Sequence, residues 1–446
     1  MTGTTPDTDT LRQAVEPARA SYEELKAKGR KLDLTRGKPC VEQLDLSETM
    51  LALPGVGEHT SPDAGDLRNY GGAPKGLLAL REMFSPLLQI PVEQLVARDN
   101  SSLSLMHQCL VTSFFHAPSG APSWQGQTVK FLAPSPGYDR HFTASLDLGI
   151  ELVTVPMGEL GPDMDVVESL VKDDPSIKGI WCVPKYSNPT GLTYSDEVVQ
   201  RLAAMPTAAE DFRIYWDNAY AIHHLRSVED ELADILVACA EAGHPDRAFV
   251  FASTSKVSLA GAGVAFFGSS PANVEWFLKH DGMRSIGPDK LNHQRHIAFF
   301  KDTEGVLAHM AKHRDILEPK FDAVLRHLEK GLGDLGIARW TDPNGGYFVS
   351  LDVVPGTAKR VVALAKEAGV ALTPRVRPSP AVRTRTTRTS ASPPPSPPWT
   401  SSRRRWRCSP RPSSSPPPSS CWTTGLLGSE VAGSVGVRPA EMAVGD

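Results

Sequence analysis

A chain of 446 residues can bury the core of a large domain plus a smaller one without help from disulfides or metals. Its formal net charge of -4 excludes a global bias toward nucleic acid or anionic membrane. Six cysteines (Cys40, Cys109, Cys182, Cys239, Cys408 and Cys421) form no CxxC pair, which argues against a zinc site or disulfide framework and suits a reducing compartment. The N-terminal MTGTTPDTDT lacks the basic and apolar stretches of a signal peptide, and no later run could span a bilayer, so a cytoplasmic protein with no membrane partner is expected.

In chain order, Leu11, Val15, Ala18, Tyr22 and Leu25 recur at three- or four-residue steps and predict an amphipathic helix over 11–30. From about 75 to 320, short apolar runs at 128–132, 152–155, 179–183, 212–216 and 248–251 alternate with helix-like stretches. That rhythm predicts a mainly parallel sheet covered by helices. A long helix over 303–335 leads to a smaller domain with a strand at 345–351 and a helix at 357–368. The expected division is an N-terminal helix and entrance segment (1–50), a large domain (51–320), a truncated small domain (321–374) and a tail (375–446). Between 375 and 420 the tail holds ten arginines and no acidic residue, a composition that builds no core and is expected to be disordered.

Several predicted strands end directly in polar residues, where open α/β sheets bind ligands. Asp217 follows 212–216, Asn188 follows 179–183 within Ser187-Asn188-Pro189-Thr190-Gly191, and Lys256 follows 248–251 within Ser253-Thr254-Ser255-Lys256. Tyr220 comes three residues after Asp217, Tyr138 follows the strand ending at Leu132, and Asn100-Ser101-Ser102 opens an apolar helix-like stretch. Taken singly, each has a plainer reading: a strand-end Asp caps a turn, Asn-Pro-x-Gly is a common turn, and serines cap helices.

Together they supply what pyridoxal 5'-phosphate (PLP) requires. Lys256 would form the Schiff base and then carry protons as general base and acid. Asp217 would keep the pyridine nitrogen protonated, while Asn188 and Tyr220 donate to the phenolic oxygen. Tyr138 would stack on the ring, and Asn100, Ser101, Ser102, Ser253 and Ser255 would cradle the phosphate.

These motifs, with Tyr70, Gly76 and Leu80-Arg81, resemble the class I aminotransferases, PLP enzymes of fold type I. The resemblance covers about residues 20–374. Leu34-Thr35-Arg36-Gly37-Lys38-Pro39 and Ile286-Gly287-Pro288-Asp289-Lys290 bring it closest to a bacterial aspartate aminotransferase subgroup. It implies an α/β fold whose large domain carries a mainly parallel, seven-stranded-type sheet beside a smaller α/β domain. It also implies transfer of an amino group from an amino acid, aspartate foremost, to a 2-oxo acid such as 2-oxoglutarate. The implied assembly is a homodimer in which Tyr70 reaches the neighbouring subunit's phosphate, with Arg36, Gly37 and Asn188 at the substrate. Arg284 and Lys290 are further candidates for a side-chain carboxylate, or surface cations.

The chain departs from the family in two respects. No arginine follows the lysine in Ala260-Gly261-Ala262-Gly263-Val264, and the C-terminal strand whose arginine grips the substrate α-carboxylate is missing. A shifted reading frame near Pro374 would account for the second. Thr389-Ser390-Ala391-Ser392-Pro393-Pro394 can be encoded as ACA TCC GCA TCG CCC CCC, which from its third base reads Ile-Arg-Ile-Ala-Pro. The competing readings are a PLP-dependent lyase or decarboxylase, a catalytically inactive PLP-fold binding protein, and a basic tail that contacts nucleic acid through its arginines, Trp399 and Trp406. The expected outcome is an enzyme with no nucleic-acid partner.

Overall fold

Strand-forming apolar runs separated by capped helices give the architecture. The computed structural model describes residues 8–35 and 37–372 and the backbone of residues 436–437. Arg36 and, apart from that dipeptide backbone, the expected tail over 375–446 lie outside the described residues.

Seven strands form the main sheet: β1 (Leu95–Arg98), β2 (Lys130–Ser135), β3 (Glu151–Pro156), β4 (Ile177–Cys182), β5 (Arg213–Asp217), β6 (Ala248–Ser253) and β7 (Ala265–Gly268). Their spatial order is β1-β7-β6-β5-β4-β2-β3. Neighbours pair in parallel except β7, which runs antiparallel to both β1 and β6. The central strands β4 and β5 are buried at every position, as continuous apolar runs covered on both faces must be. The five strands expected from the sequence are all present. The two that periodicity did not reveal, β1 and β7, have four residues each, too few to show a period against their flanks.

The helices are α1 (Thr8–Ala27), α2 (Val41–Asp45), α3 (Leu78–Leu88), α4 (Ser102–Phe115), α5 (Asp139–Asp147), α6 (Met164–Val171), α7 (Asp196–Ala204), α8 (Ile235–Glu241), α9 (Pro271–Arg284), α10 (Lys290–Phe300), α11 (Thr303–Leu332) and α12 (Ala358–Glu367). Side-chain oxygens of Ser101, Asp163, Ser195, Asp234, Ser270, Asp289 and Asp302 accept from backbone amides and start α4 and α6–α11. The helix expected over 11–30 stops at Ala27, two residues before Gly29 takes φ +61°.

In the smaller α/β part, β8 (Ala338–Trp340) pairs antiparallel with β9 (Val349–Val353), and the backbone of 436–437 pairs with β9 on its other side. The strand expected at 345–351 therefore begins later. Gly345 bridges to His224, and Gly346, at φ +80°, lies against Tyr186, so 345–348 is a loop spent on contacts with the large domain. Residues Leu32–Asp33 pair in parallel with Val370–Ala371, attaching the N-terminal segment to this part. Helix α11 buries one stripe, Val306, His309, Met310, His313, Leu317, Phe321 and Val324, at three- and four-residue steps. Among the described residues no helix is long and apolar enough to cross a membrane.

Burial also leaves titrating groups inside. Desolvation pushes His293 and His313 down to about 3 and His296 down to about 4. Their folded values lie below the unfolded value near 6.5, so the unfolded chain binds more protons as pH falls through 6.5. Stability should be complete above that pH and lost below it, by on the order of 2 kcal/mol per histidine at pH 5. Denaturant unfolding at pH 7.5 and pH 5 checks this; equal stability at the two would contradict it.

Candidate active site

Parallel strands deliver their C-terminal ends to one edge, and the polar residues of five strands meet there. β1 leads into Asp99–Ser102, β2 into Tyr138, β4 into the 187–191 turn, β5 ends on Asp217, and β6 leads into Ser253–Lys256.

Asp217 is 3% exposed. Its Oδ2 lies 3.0 Å from His141 Nε2, and its Oδ1 is buried without a hydrogen-bond partner among the described residues. His141 is itself buried, stacked on Trp181 at 4.3 Å and 11°. Trp181 is in turn held by donating Nε1–H to Ser145 Oγ at 3.0 Å. An unmet carboxylate acceptor costs roughly 1–3 kcal/mol or more, a cost offset when a cationic N–H arrives. The pyridine nitrogen of PLP is such a donor, so this carboxylate fits the cofactor. Sequence reasoning missed His141. The available signal was its place three residues after Tyr138, one helical turn into α5, where a lone histidine carries little weight.

Lys256 Nζ sits 4.8 Å from the centroid of the Tyr220 ring. Desolvation lowers its pKa, with the charge of Asp217 opposing, so the free amine needed for attack on an aldehyde is more accessible than on an ordinary lysine. Its backbone is fixed from two sides. The Lys256 carbonyl faces His223 Nε2 at 3.4 Å, and the Val257 carbonyl faces His309 Nε2 at 2.8 Å. Tyr220 packs edge-on to Phe348 at 6.4 Å and beside Tyr347 at 6.2 Å.

Ser101 caps α4, accepting from Ser104 N at 3.3 Å, so the first amides of a 14-residue helix are presented beside the lysine turn. Ser255 Oγ donates to Asn100 O at 3.3 Å, and Ser253 Oγ donates to Ser255 Oγ at 3.1 Å, which brings the two serine segments together. A Cβ at Gly263 would come 3.2 Å from both Asn100 O and Ser255 N. This crowding explains the glycine at 263, within a stretch after Lys256 that offers no arginine. The nearby Arg98 cannot replace it, being 3% exposed and ion-paired with Asp281.

Asn188 and Tyr138 line one small cavity together with His141 and Trp181. Tyr138 meets His141 edge to face at 4.9 Å. The turn that carries Asn188 is closed by Gly191 N donating to Ser187 O at 2.6 Å. Gly37 lies against the Phe348 ring, with room for no Cβ: one built there falls 2.6 Å from Phe348 Cζ. The structure therefore brings together Asn100, Ser101, Ser253, Ser255 and Lys256, and likewise Asp217, Tyr220, Tyr138 and Asn188, with Ser102 as the first residue of α4. Tyr70 is 84% exposed, outside this buried group. Arg284 and Lys290 are not free for a substrate carboxylate: Arg284 donates to Asp99 and Asp281, and Lys290 Nζ donates to Gly71 O.

Gly191 gives a direct test of the turn. It has φ +74°, and an added Cβ would stand 2.8 Å from Pro343 Cβ. Gly191→Ala should cost about 1–3 kcal/mol of stability, read by denaturant unfolding, through backbone strain and overpacking.

A family model for aspartate amino-transferase matches residues 7–402. The chain is 56% identical over 369 residues to a Mycolicibacterium smegmatis protein named as an aminotransferase, covering 82% of this chain and 86% of that one. It is 51% identical over 360 residues to the aspartate aminotransferase of Corynebacterium glutamicum, covering 80% and 83%. The crystal structure of an aspartate transaminase from Corynebacterium glutamicum superposes with a TM-score of 0.79 at 50% identity, covering 82% of this chain and 87% of that one. At 23% identity and a TM-score of 0.62, the α-aminoadipate aminotransferase LysN of Thermus thermophilus shares the fold; that structure holds a phosphopyridoxyl-leucine adduct. With this geometry and these relatives, the chain belongs to the aspartate aminotransferase family, PLP-dependent transaminases of fold type I.

Proposed function

We propose that this chain binds PLP at Lys256 and transfers an amino group from aspartate to a 2-oxo acid such as 2-oxoglutarate, acting as a cytoplasmic homodimer in amino acid biosynthesis. The observation that carries the reading is the pairing of a desolvated Lys256 amine over Tyr220 with a buried Asp217 that has one acceptor unmet. Similarity to the Corynebacterium glutamicum aspartate aminotransferase supports the choice of substrate.

PLP, when bound, supplies an aldehyde for amines and a ring that draws electrons from the substrate's Cα. The chain's residues do the rest. Lys256 would hold the cofactor's aldehyde carbon, and its amine, once free, would serve as base and acid for the proton on the substrate Cα. Asp217, held by His141, would keep a proton on the pyridine nitrogen. Asn188 and Tyr220 would donate to the phenolic oxygen, and Tyr138 would cover one ring face. Asn100, Ser101, Ser102, Ser253 and Ser255 would take the phosphate, with Tyr70 of the partner subunit completing it. Arg36 and Gly37, with Asn188, would border the substrate.

Mixing aspartate and 2-oxoglutarate with enzyme whose C-terminal reading frame has been restored should yield glutamate. Products of decarboxylation or elimination in its place would replace this reading with a lyase. The 446-residue chain should take up PLP yet transaminate at least tenfold more slowly, because loss of a buried bidentate arginine contact removes roughly 1.5–3 kcal/mol of carboxylate binding. Equal turnover by the two forms would contradict the role given to the missing arginine.

A further inference from the structure

Two features singled out in the sequence stay outside this chemistry: Arg284 and the run Ile286–Lys290. They form the link from α9 to α10, and its two ends hold two different loops. At the first end, Arg284 Nη2 donates to both oxygens of Asp99 at 3.0 Å and to Asp281 Oδ1 at 2.8 Å. Asp281 is fully buried and also pairs with Arg98. Asp99 lies in the left-handed region at φ +50°, unusual for a residue other than glycine, and Ser104 Oγ donates to its carboxylate at 2.9 Å. The ion pair thus holds a strained residue immediately before Asn100-Ser101-Ser102.

At the second end, Lys290 is 6% exposed and Nζ donates to Gly71 O at 2.5 Å. Gly71 and Gly72 have φ +78° and +69°, so the backbone after Tyr70 passes through two positions with wide conformational freedom. Tyr70 itself is exposed, with its amide donating to its neighbour Asn69 Oδ1 at 2.8 Å. A buried ammonium is an expensive way to fill space, since an apolar side chain of the same length would avoid desolvating a charge. What the lysine adds is a fixed position for the Gly71 carbonyl, and with it for Tyr70.

We propose that residues 284–290 are a positioning clamp for the phosphate sites. Arg284 sets the Asp99–Ser102 loop in its own subunit, and Lys290 sets the Tyr70 arm that serves the partner's. The proposal rests on the PLP homodimer reading above. One seven-residue segment then governs both halves of the phosphate grip, and a disturbance in one subunit weakens cofactor binding in the other. Lys290 and Arg284 touch no reacting atom; they are positioning residues.

The test is a double-mutant cycle on cofactor affinity, measured by titrating PLP into cofactor-free full-length protein and following the absorbance band that requires Lys256. Tyr70→Phe and Lys290→Met should each raise Kd by about tenfold, the size of one lost charge-assisted hydrogen bond. If Lys290 acts through Tyr70, the double variant should bind no more weakly than Tyr70→Phe alone. Lys290→Arg, which keeps a cationic donor, should recover most of the affinity, and the melting temperature of the cofactor-free Lys290→Met protein should match wild type. Unchanged affinity in Lys290→Met, or losses that multiply in the double variant, overturns the proposal. So does a Lys290→Met chain that unfolds and is not rescued by Lys290→Arg, since the lysine is then a structural strut. Failure of the underlying reading looks different: the wild-type chain shows no Lys256-dependent band, or Tyr70→Phe binds as tightly as wild type and takes the clamp with it.

Discussion

The buried carboxylate of Asp217 is the constraint around which the rest is arranged. An ionisable group 3% exposed at the end of a central strand would ordinarily be fully satisfied or absent. Here one oxygen meets His141 and the other meets nothing among the described residues. Keeping that arrangement requires rigid neighbours. They are supplied by β5, buried at all five positions, and by the stack of His141 on Trp181. The sheet order then puts β4 and β6 on either side, so the Asn188 turn and the Lys256 turn both open beside the carboxylate. A lysine lowered by burial and a carboxylate awaiting a cationic donor make opposite demands, and a protonatable heteroaromatic aldehyde meets both.

A second layer of contacts fixes the lysine turn from behind. His296 Nδ1 faces its own helix at Asn292 O, 2.8 Å away, which calls for the proton on Nδ1 and leaves Nε2 to accept from Thr254 and Ser258. Asn292 Nδ2 donates to the carbonyls of Ala262 and Gly263, holding the loop that crowds Asn100. Gln43 on α2 donates to His313 and to Tyr347, while His309, one turn before His313, faces the Val257 carbonyl. The N-terminal segment, α11 and the residue after Lys256 are therefore joined through a few buried polar groups. Because these histidines sit neutral and desolvated, the packing around the lysine depends on pH well away from any reacting atom.

Much of this was legible in the sequence, and the reasons differ by residue. Strands β2 and β4 to β6 announce themselves because burial on both faces demands unbroken apolar runs, and Asp217 and Lys256 stand out as charges at or shortly after the ends of two of them. The order of Asn188, Asp217 and Lys256 mattered more than any one of them. Strands β1 and β7 escaped notice because four residues carry no period. His141 escaped because its meaning lies in a contact with a residue 76 positions away. The choice between substrate cation and surface cation for Arg284 is closed to local pattern for the same reason, as its partner Asp99 is 185 residues distant. The loop at 345–348 shows tertiary contact overriding local pattern: its glycines are spent on packing against Tyr186 and not on a strand.

The account stands on the identity of one lysine. Borohydride reduction of the purified, PLP-loaded protein, followed by proteolysis and mass spectrometry, reads that identity directly. The account predicts a single phosphopyridoxyl adduct on the peptide containing Lys256. An adduct confined to another lysine, or no adduct on a chain that has retained its fold, would contradict it.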